Sequence, residues 1–382
     1  MQLTKFRLRN FRNHIDSFLE FGDGINVLVG DNGQGKTNII EAISYLCLTK
    51  SFFAGGDTMV INFNEDMFEL DGTFLGERGM TSEVRVAYAR QLAEKAYFIN
   101  RKSLEPLSAV IGKFPVVICS PEHAPITSGS PLERRKFVDF VVAQSNPLYL
   151  KTLIEYRRAL KQHNKILLES RNAGREIHAL LEPWKEQLAE LGGELMRRRE
   201  EFVKEFGSYI QTAYRQVVES GEEPRISYRP NVESQEGTGE PGYPALLRRS
   251  FENRRSEEIR VGTTLVGPHR DEFPLTINGL DLRKFASQGQ HKTFLVALKL
   301  AEFHYLRERC GEKPILLLDD VFSELDKHRS EKLLDCVEHI SQTFVTTTVS
   351  GVFESTIEFG GTNRKFLVQN GTVQDQRPAA VL

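Results

Sequence analysis

The chain has 382 residues, 40% of them hydrophobic and 27% charged, enough to bury a large core and to divide into lobes. Its 50 Lys and Arg against 52 Asp and Glu give a net charge of −2, so any nucleic-acid surface has to be a local patch. No apolar run reaches the length of a membrane span and the chain begins directly with a strand pattern, so a cytoplasmic protein is expected, with reduced thiols at Cys47, Cys119, Cys310 and Cys336.

The first segment alternates. Phe6 and Leu8 fall on one side and Lys5, Arg7 and Arg9 on the other, with Arg12 just beyond. No acid precedes Asp16, so this edge reads as a concentrated positive strip. Ile25–Val29 reads as a buried parallel strand, followed by Gly30, Asp31, Asn32, Gly33, Gln34, Gly35, Lys36 and Thr37 and a helix through Leu48. The three glycines let the backbone curl so that successive N–H groups converge on a phosphate, and the helix N-terminus adds partial positive charge. Lys36 would reach the β/γ oxygens and the Thr37 hydroxyl would ligate Mg²⁺. Short strands at 68–74, 84–88 and 97–99, a turn at Asn100-Arg101, and Val116–Cys119 predict an antiparallel layer beside the nucleotide.

Then the texture changes. Ser130-Pro131-Leu132-Glu133 has the form of a capping box with Pro at the first helical position. From 147 to 220 the chain is nearly all helix former, with interruptions expected at Asn172-Ala173-Gly174 and Pro183. That stretch holds 13 Lys and Arg and 11 Asp and Glu, so a run such as Arg197-Arg198-Arg199 reads as solvated surface. A loop rich in Gly and Pro at 236–244 and a helix at 245–258 follow, strands are expected to resume at Gly262, and Asn278-Gly279 predicts a hairpin.

Ser287-Gln288-Gly289-Gln290 opens a strong helix whose Phe294, Leu298 and Ala301 share a face. Ser287 and the Gly289 amide then stand at a helix N-terminus, the right place to meet a γ-phosphate, although the same serine could serve only as an N-cap. Four aliphatic residues from Ile315 to Leu318 end in Asp319 and Asp320, closed by Ser323-Glu324-Leu325-Asp326. This is the form of a central strand reaching its carboxyl edge, where α/β sheets bind ligands. Asp319 would hold Mg²⁺ through water or Thr37, and Asp320 would polarise the attacking water. A core strand with two capping acids is the plainer reading of that segment alone; the phosphate loop upstream makes it the weaker one.

A serine-glycine-glutamine segment between a phosphate loop and an aliphatic-acidic strand is the motif order of the ABC type of ATPase, whose site is completed by a second subunit. On that reading the catalytic residues are Lys36, Asp320 and Ser287. Residues 30–37 with Ser287, Gly289 and Gln290 bind ATP, and Thr37 and Asp319 hold Mg²⁺. Most of that class carries Glu at the second acidic position. Asp is one methylene shorter, so slow hydrolysis suited to a switch is expected.

Further segments carry a narrower resemblance. They are Leu8-Arg9-Asn10-Phe11-Arg12-Asn13, Ser120-Pro121-Glu122, Glu133-Arg134-Arg135-Lys136-Phe137-Val138-Asp139, Gly267-Pro268-His269-Arg270-Asp271, and the acidic strand continued as Val321-Phe322-Ser323-Glu324-Leu325-Asp326. With these the chain resembles the RecF family of bacterial recombination mediators, over nearly its whole length and in one order. The resemblance implies an α/β fold, an ABC/SMC-like P-loop ATPase head made of 1–124 and 259–382 with a mainly α-helical arm lobe inserted at 125–258. It implies an ATP-dependent homodimer, bacterial and cytoplasmic, that binds duplex DNA near single-strand gaps and acts with RecR and RecO to help load RecA. Asp320 matches the family. Two superfamily roles stay unassigned, the switch histidine, where Thr346-Thr347-Thr348 stands, and the Mg²⁺-sensing glutamine.

Candidate DNA contacts are Lys5, Arg7, Arg9, Arg134, Arg135 and Arg270, reading phosphates and not sequence. Two other classes share the motifs. A transport ATPase subunit would have a shorter helical insert and a groove for a membrane partner, and a DNA clamp with structural ATP would barely turn it over.

Overall fold

The computed structural model describes residues 1–52, 55–173, 178–219, 221–232, 242–338, 340–349 and 351–376. By packing, the chain divides into two units. Met1–Ala124, Thr212–Gly221 and Gln288–Leu382 form one, and Pro125–Gln211 with Glu222–Ser287 the other.

The first unit is built on two six-stranded sheets. In the antiparallel sheet β1 (Gln2–Phe11) lies between β2 (His14–Glu20) and β4 (Met67–Leu75), and β5 (Thr81–Ala89), β6 (Glu94–Ile99) and β7 (Lys102–Ser103) follow outward. A register shift between Leu3 and Lys5 lets both Leu3 and Phe6 face the core despite their odd spacing. Phe11 and Phe68 meet Tyr45 edge to face, which fixes helix α1 (Lys36–Leu48) against this sheet.

The second sheet runs β15 (Thr372–Asp375), β14 (Arg364–Gln369), β3 (Ile25–Val29), β13 (Thr343–Thr347), β12 (Ile315–Asp319), β8 (Val116–Cys119). All pairings are parallel except β14 with β15. The expected place of Val116–Cys119 is corrected here. It pairs in parallel with β12, Ile315 opposite Val116, and not with the antiparallel layer. Its four residues are all buried, the mark of a strand covered on both faces. Helix α8 (Gln288–Cys310) packs on β8 with Phe294, Leu298 and Ala301 fully buried, while α9 (Lys327–Glu338) and α10 (Gly351–Thr356) flank β13 in sequence.

The second unit is mainly helical, with α2 (Pro125–Ser128), α3 (Pro131–Ser145), α4 (Pro147–Ala173), α5 (His178–Val217) as far as Gln211, α6 (Tyr243–Val261) and α7 (Leu282–Phe285). A small sheet orders β11 (Leu280–Asp281), β10 (Leu275–Ile277) and β9 (Pro224–Ile226). The hairpin at Asn278-Gly279 forms with φ of 50° and 79°, the left-handed pair that a two-residue turn requires.

Four expectations change. Ser130 precedes α3 but makes no side-chain cap, because its carbonyl takes the Glu133 amide and Pro131 has no N–H to satisfy. Pro183 does not interrupt α5, which runs through it near its N-terminal end and forgoes only the bond to the Ala179 carbonyl. Gly262, at φ 78°, is the left-handed cap of α6 and not the start of a strand; named strands resume at Leu275. Residues 236–241 of the expected loop and Gly174 lie outside the described residues.

The fourth is Arg199. Arg197 and Arg198 pair with Glu194 and Glu201 at the surface, but Arg199 is 2% exposed. It donates to Asp139 Oδ1 at 2.8 Å, Asp271 Oδ2 at 2.8 Å, the Pro268 carbonyl at 2.6 Å and the Tyr149 hydroxyl at 3.1 Å. Asp271 also accepts from the Tyr228 hydroxyl and the Asn231 amide. The segment from Gly267 to Asp271 is thus tied to α3 and α5 through one buried cation.

Candidate functional site

The strand β3 ends at Val29 and α1 begins at Lys36, so residues 30–35 form the turn between them. Gly35 caps the helix at φ 110°, and a Cβ there would lie 2.6 Å from Asn13 Oδ1 and 2.8 Å from His14 Nε2. Gly30 is constrained by space, since its Cβ would fall 2.3 Å from the Val368 carbonyl oxygen. The loop is braced from outside. Asn13 Nδ2 and the Gly371 amide both donate to the Gln34 carbonyl at 3.0 Å, His14 Nε2 donates to the Gly35 carbonyl at 3.1 Å, and the Asn370 amide donates to Gln34 Oε1 at 2.7 Å. No side chain caps α1, so the amides of its first turn face the loop as a ready anion site.

Lys36 is nearly buried, with Nζ donating to the carbonyls of Gly30 at 2.6 Å and Asp31 at 2.8 Å. Burial lowers its pKa, and the charges of Asp320, Asp319 and Asp31 work against that. Thr37 Oγ1 donates to Asp319 Oδ1 at 2.8 Å across 282 positions of sequence. The Thr346 hydroxyl donates to the same oxygen at 2.7 Å. Burial raises the Asp319 pKa, and these two hydroxyls pull it back. One carboxylate and one hydroxyl side by side fit a cation that keeps waters and phosphate oxygens for its other positions, as Mg²⁺ does. Among the described residues no group of three or more His, Cys, Asp or Glu forms an all-protein metal cage.

Asp320 stands just past β12 at φ 51°. Asp tolerates this left-handed conformation far better than most side chains, which gives a backbone reason for the shorter acid at this position. Its amide donates to Thr346 Oγ1 at 2.9 Å. Thr37 and Asp319 are therefore in direct contact, with Lys36 and Asp320 their immediate neighbours along the chain.

A family model described as RecF/RecN/SMC N terminal domain matches residues 2–370. A DNA replication and repair protein RecF from Chloroherpeton thalassium is 41% identical over 351 residues, 91% of this chain and 95% of that protein. The chain belongs to the RecF family. A RecF of Salinibacter ruber is 38% identical over 357 residues, 93% of this chain and 86% of that one. Among solved structures, the recombination mediator protein RecF-ATP of the RecFOR pathway has a TM-score of 0.88 at 30% identity, covering 98% of this chain and 97% of that one. An Smc head bound to the C-winged helix domain of ScpA shares the fold, with a TM-score of 0.55 at 14% identity over 98% of this chain and 97% of that one. The α/β SMC-like ATPase head expected for RecF proteins is the fold observed.

The other candidates in this RecF-family chain fall in two groups. Ser287 is exposed, immediately before the first residue of α8, and Gly289 and Gln290 lie in the first turn of that helix. The Gly289 carbonyl accepts from Thr293 Oγ1 at 2.9 Å. The second group is the proposed DNA strip. Lys5, Arg7 and Arg9 do share the outward face of β1, but the neighbouring strands β2 and β4 set acids beside them. Lys5 pairs with Glu20 at 3.9 Å, Arg7 with Asp16 at 2.6 Å and Arg9 with Glu69 at 2.6 Å. Glu69 also takes Arg85. Lys5, Arg7, Arg9 and Arg85, with Asp71, Glu83 and Phe18, line a trough of about 570 Å³. Arg134 is buried, giving its guanidinium to the Gly129 carbonyl and Glu272, and Arg135 donates to the Asp271 carbonyl. Arg270 is exposed, with Nε on the Thr264 carbonyl at 3.0 Å.

Three contributors escaped the sequence reading. Asn13 and His14 brace the loop, and their only signal is a place in the segment from Leu8 to Asn13 and just after it. Arg12 does not join them; it pairs with Glu41 of α1 at 2.9 Å. Thr346 carried no role beyond standing where a histidine was expected.

Proposed function

We propose that the protein is an ATP-gated DNA-binding protein of recombinational repair and replication-fork maintenance. ATP with Mg²⁺ binds at Lys36, Thr37 and Asp319, two copies close on duplex DNA near single-strand gaps, and slow hydrolysis at Asp320 releases them. The observation that carries this reading is the junction of Thr37 with Asp319 beside Lys36, in a chain whose relatives are named for DNA replication and repair. Loop amides and Lys36 would hold the phosphates, Mg²⁺ would neutralise charge between them, and Asp320 would orient the attacking water. Ser287, Gly289 and Gln290 would meet the γ-phosphate held by the other copy, because they stand at the N-terminus of α8 with Ser287 exposed. RecR and RecO would act with the DNA-bound pair to load RecA.

DNA would be held by its backbone phosphates, with the exposed Lys5 and Arg270 and the part-exposed Arg7 and Arg9 the cations best able to turn toward it. Sizing the protein without nucleotide, with ADP and with ATP, with and without gapped duplex, tests the scheme. ATP alone should produce the dimer. Ser287→Arg should bind ATP as wild type does and stay monomeric, and a variant that still pairs with ATP would remove Ser287 from the contact. A second reading, a clamp whose ATP is hardly turned over, draws on the shorter acid at Asp320. DNA-stimulated turnover separates the two.

A further inference from the structure

We infer that Thr346 is a positioning residue for the acid pair at the end of β12, an inference that rests on the proposed roles of Asp319 and Asp320. It sits on β13 directly opposite Asp319 in the parallel ladder and is 1% exposed. Its hydroxyl has one proton, and that proton goes to Asp319 Oδ1 at 2.7 Å. A lone pair of the same oxygen accepts the Asp320 amide at 2.9 Å. One side chain thus holds the first acid by its carboxylate and the second by its backbone.

The backbone bond matters because of where the chain turns. Asp320 stands past the last paired residue of β12, where the chain turns at φ 51°, so its amide lies beyond the ladder and needs an acceptor of its own. Thr346 supplies the missing acceptor and pins the turn that aims Asp320. The neighbouring threonines do not serve. The Thr347 hydroxyl is engaged with the Val349 backbone, and Thr343 donates to the Ser341 carbonyl.

The simpler account is a β-branched residue chosen for a strand, with a hydroxyl that happens to find partners. Valine would then serve as well. The flanking Phe344 and Val345 are fully buried and apolar, so a polar atom at 346 has a desolvation cost that only its two partners offset.

The test uses Thr346→Val, which keeps the shape, and Thr346→Ser, which keeps the hydroxyl. In metal-free, nucleotide-free protein, hydrogen exchange at the Asp320 amide should quicken about tenfold in Thr346→Val, with Leu317 unchanged, and return to the wild-type rate in Thr346→Ser. With Mg²⁺ and ATP, Thr346→Val should keep the wild-type KM while kcat falls about tenfold or more, the cost of a misaimed group, and Thr346→Ser should restore it. Wild-type exchange and turnover in Thr346→Val would overturn the inference, as would a Thr346→Ser variant as defective as Thr346→Val. Asp320→Asn, measured alongside, tests the acid itself: wild-type turnover there refutes the role of Asp320, while the exchange result judges Thr346 without any ATP.

Discussion

Replacing Arg199 by Met would remove the one cation of a buried network while keeping a side chain of similar length. Asp139 would retain the Tyr149 hydroxyl and Arg157, whose side chain is 61% exposed. Asp271 would keep the Tyr228 hydroxyl and the Asn231 amide but no buried cation in direct contact with its carboxylate. Leaving such a carboxylate behind costs about 3–5 kcal/mol, a large part of the stability of any one unit. The chain has two units, so the loss should be read by hydrogen exchange in α3 and α5 during urea unfolding and not from one global midpoint. The pH dependence has a definite sign. Burial raises the Asp271 pKa against the pull of Arg199, and without Arg199 it would rise further. A carboxyl whose folded pKa lies above its unfolded value binds more protons when folded. Its penalty is therefore absent below the unfolded pKa and complete above the folded one. The deficit of Arg199→Met should be largest near neutral pH and shrink as pH falls through the raised pKa of Asp271. A neutral-pH deficit below about 1 kcal/mol, or one that grows on acidification, would refute the argument that the carboxylates depend on this cation.

Lys36→Ala should weaken ATP binding itself and DNA association with it, whereas Asp320→Asn should bind ATP and persist on DNA as a dimer while turnover is lost; equal turnover in Asp320→Asn and wild type would sink the assignment. Replacing Lys5 and Arg7 together by Gln should lower affinity for all DNA sequences and shrink the slope of log K against log salt by about one to two units per subunit, with ATP affinity unchanged. A wild-type slope in that double variant would place the DNA away from the outer face of β1.

The phosphate loop and the acidic strand were legible because each residue type is dictated by local chemistry. Glycines are required by the curl of the loop, and aliphatics by a strand covered on both faces. The helix of 36–48 and the hairpin at Asn278-Gly279 follow from the same kind of local rule. What stayed hidden depends on pairing. Val116–Cys119 has the composition of any buried strand, and only its neighbour makes it parallel. The strip at Lys5, Arg7 and Arg9 looked bare because Glu69, Asp71 and Glu83 arrive from other strands. Arg199 had a signal that went unused. It falls four residues after Leu195 and four before Val203, on the buried stripe of α5 that includes Phe206. A charged residue on an apolar stripe points inward to a partner more specifically than its place in an arginine run points outward.

The bracing of Gln34 has a consequence for how the protein is made. Its carbonyl is held from one side by Asn13 and from the other by Gly371, and its side chain by Asn370, 336 positions away. Thr37 waits likewise for Asp319. A nascent chain still on the ribosome carries the whole nucleotide motif early, yet the cradle cannot set until the last hairpin emerges. Such long-range closure is slow to fold. The set of the loop therefore depends on residues some 336 positions downstream, and a product ending before Asn370 would keep the motif and lose two of the bonds that brace it.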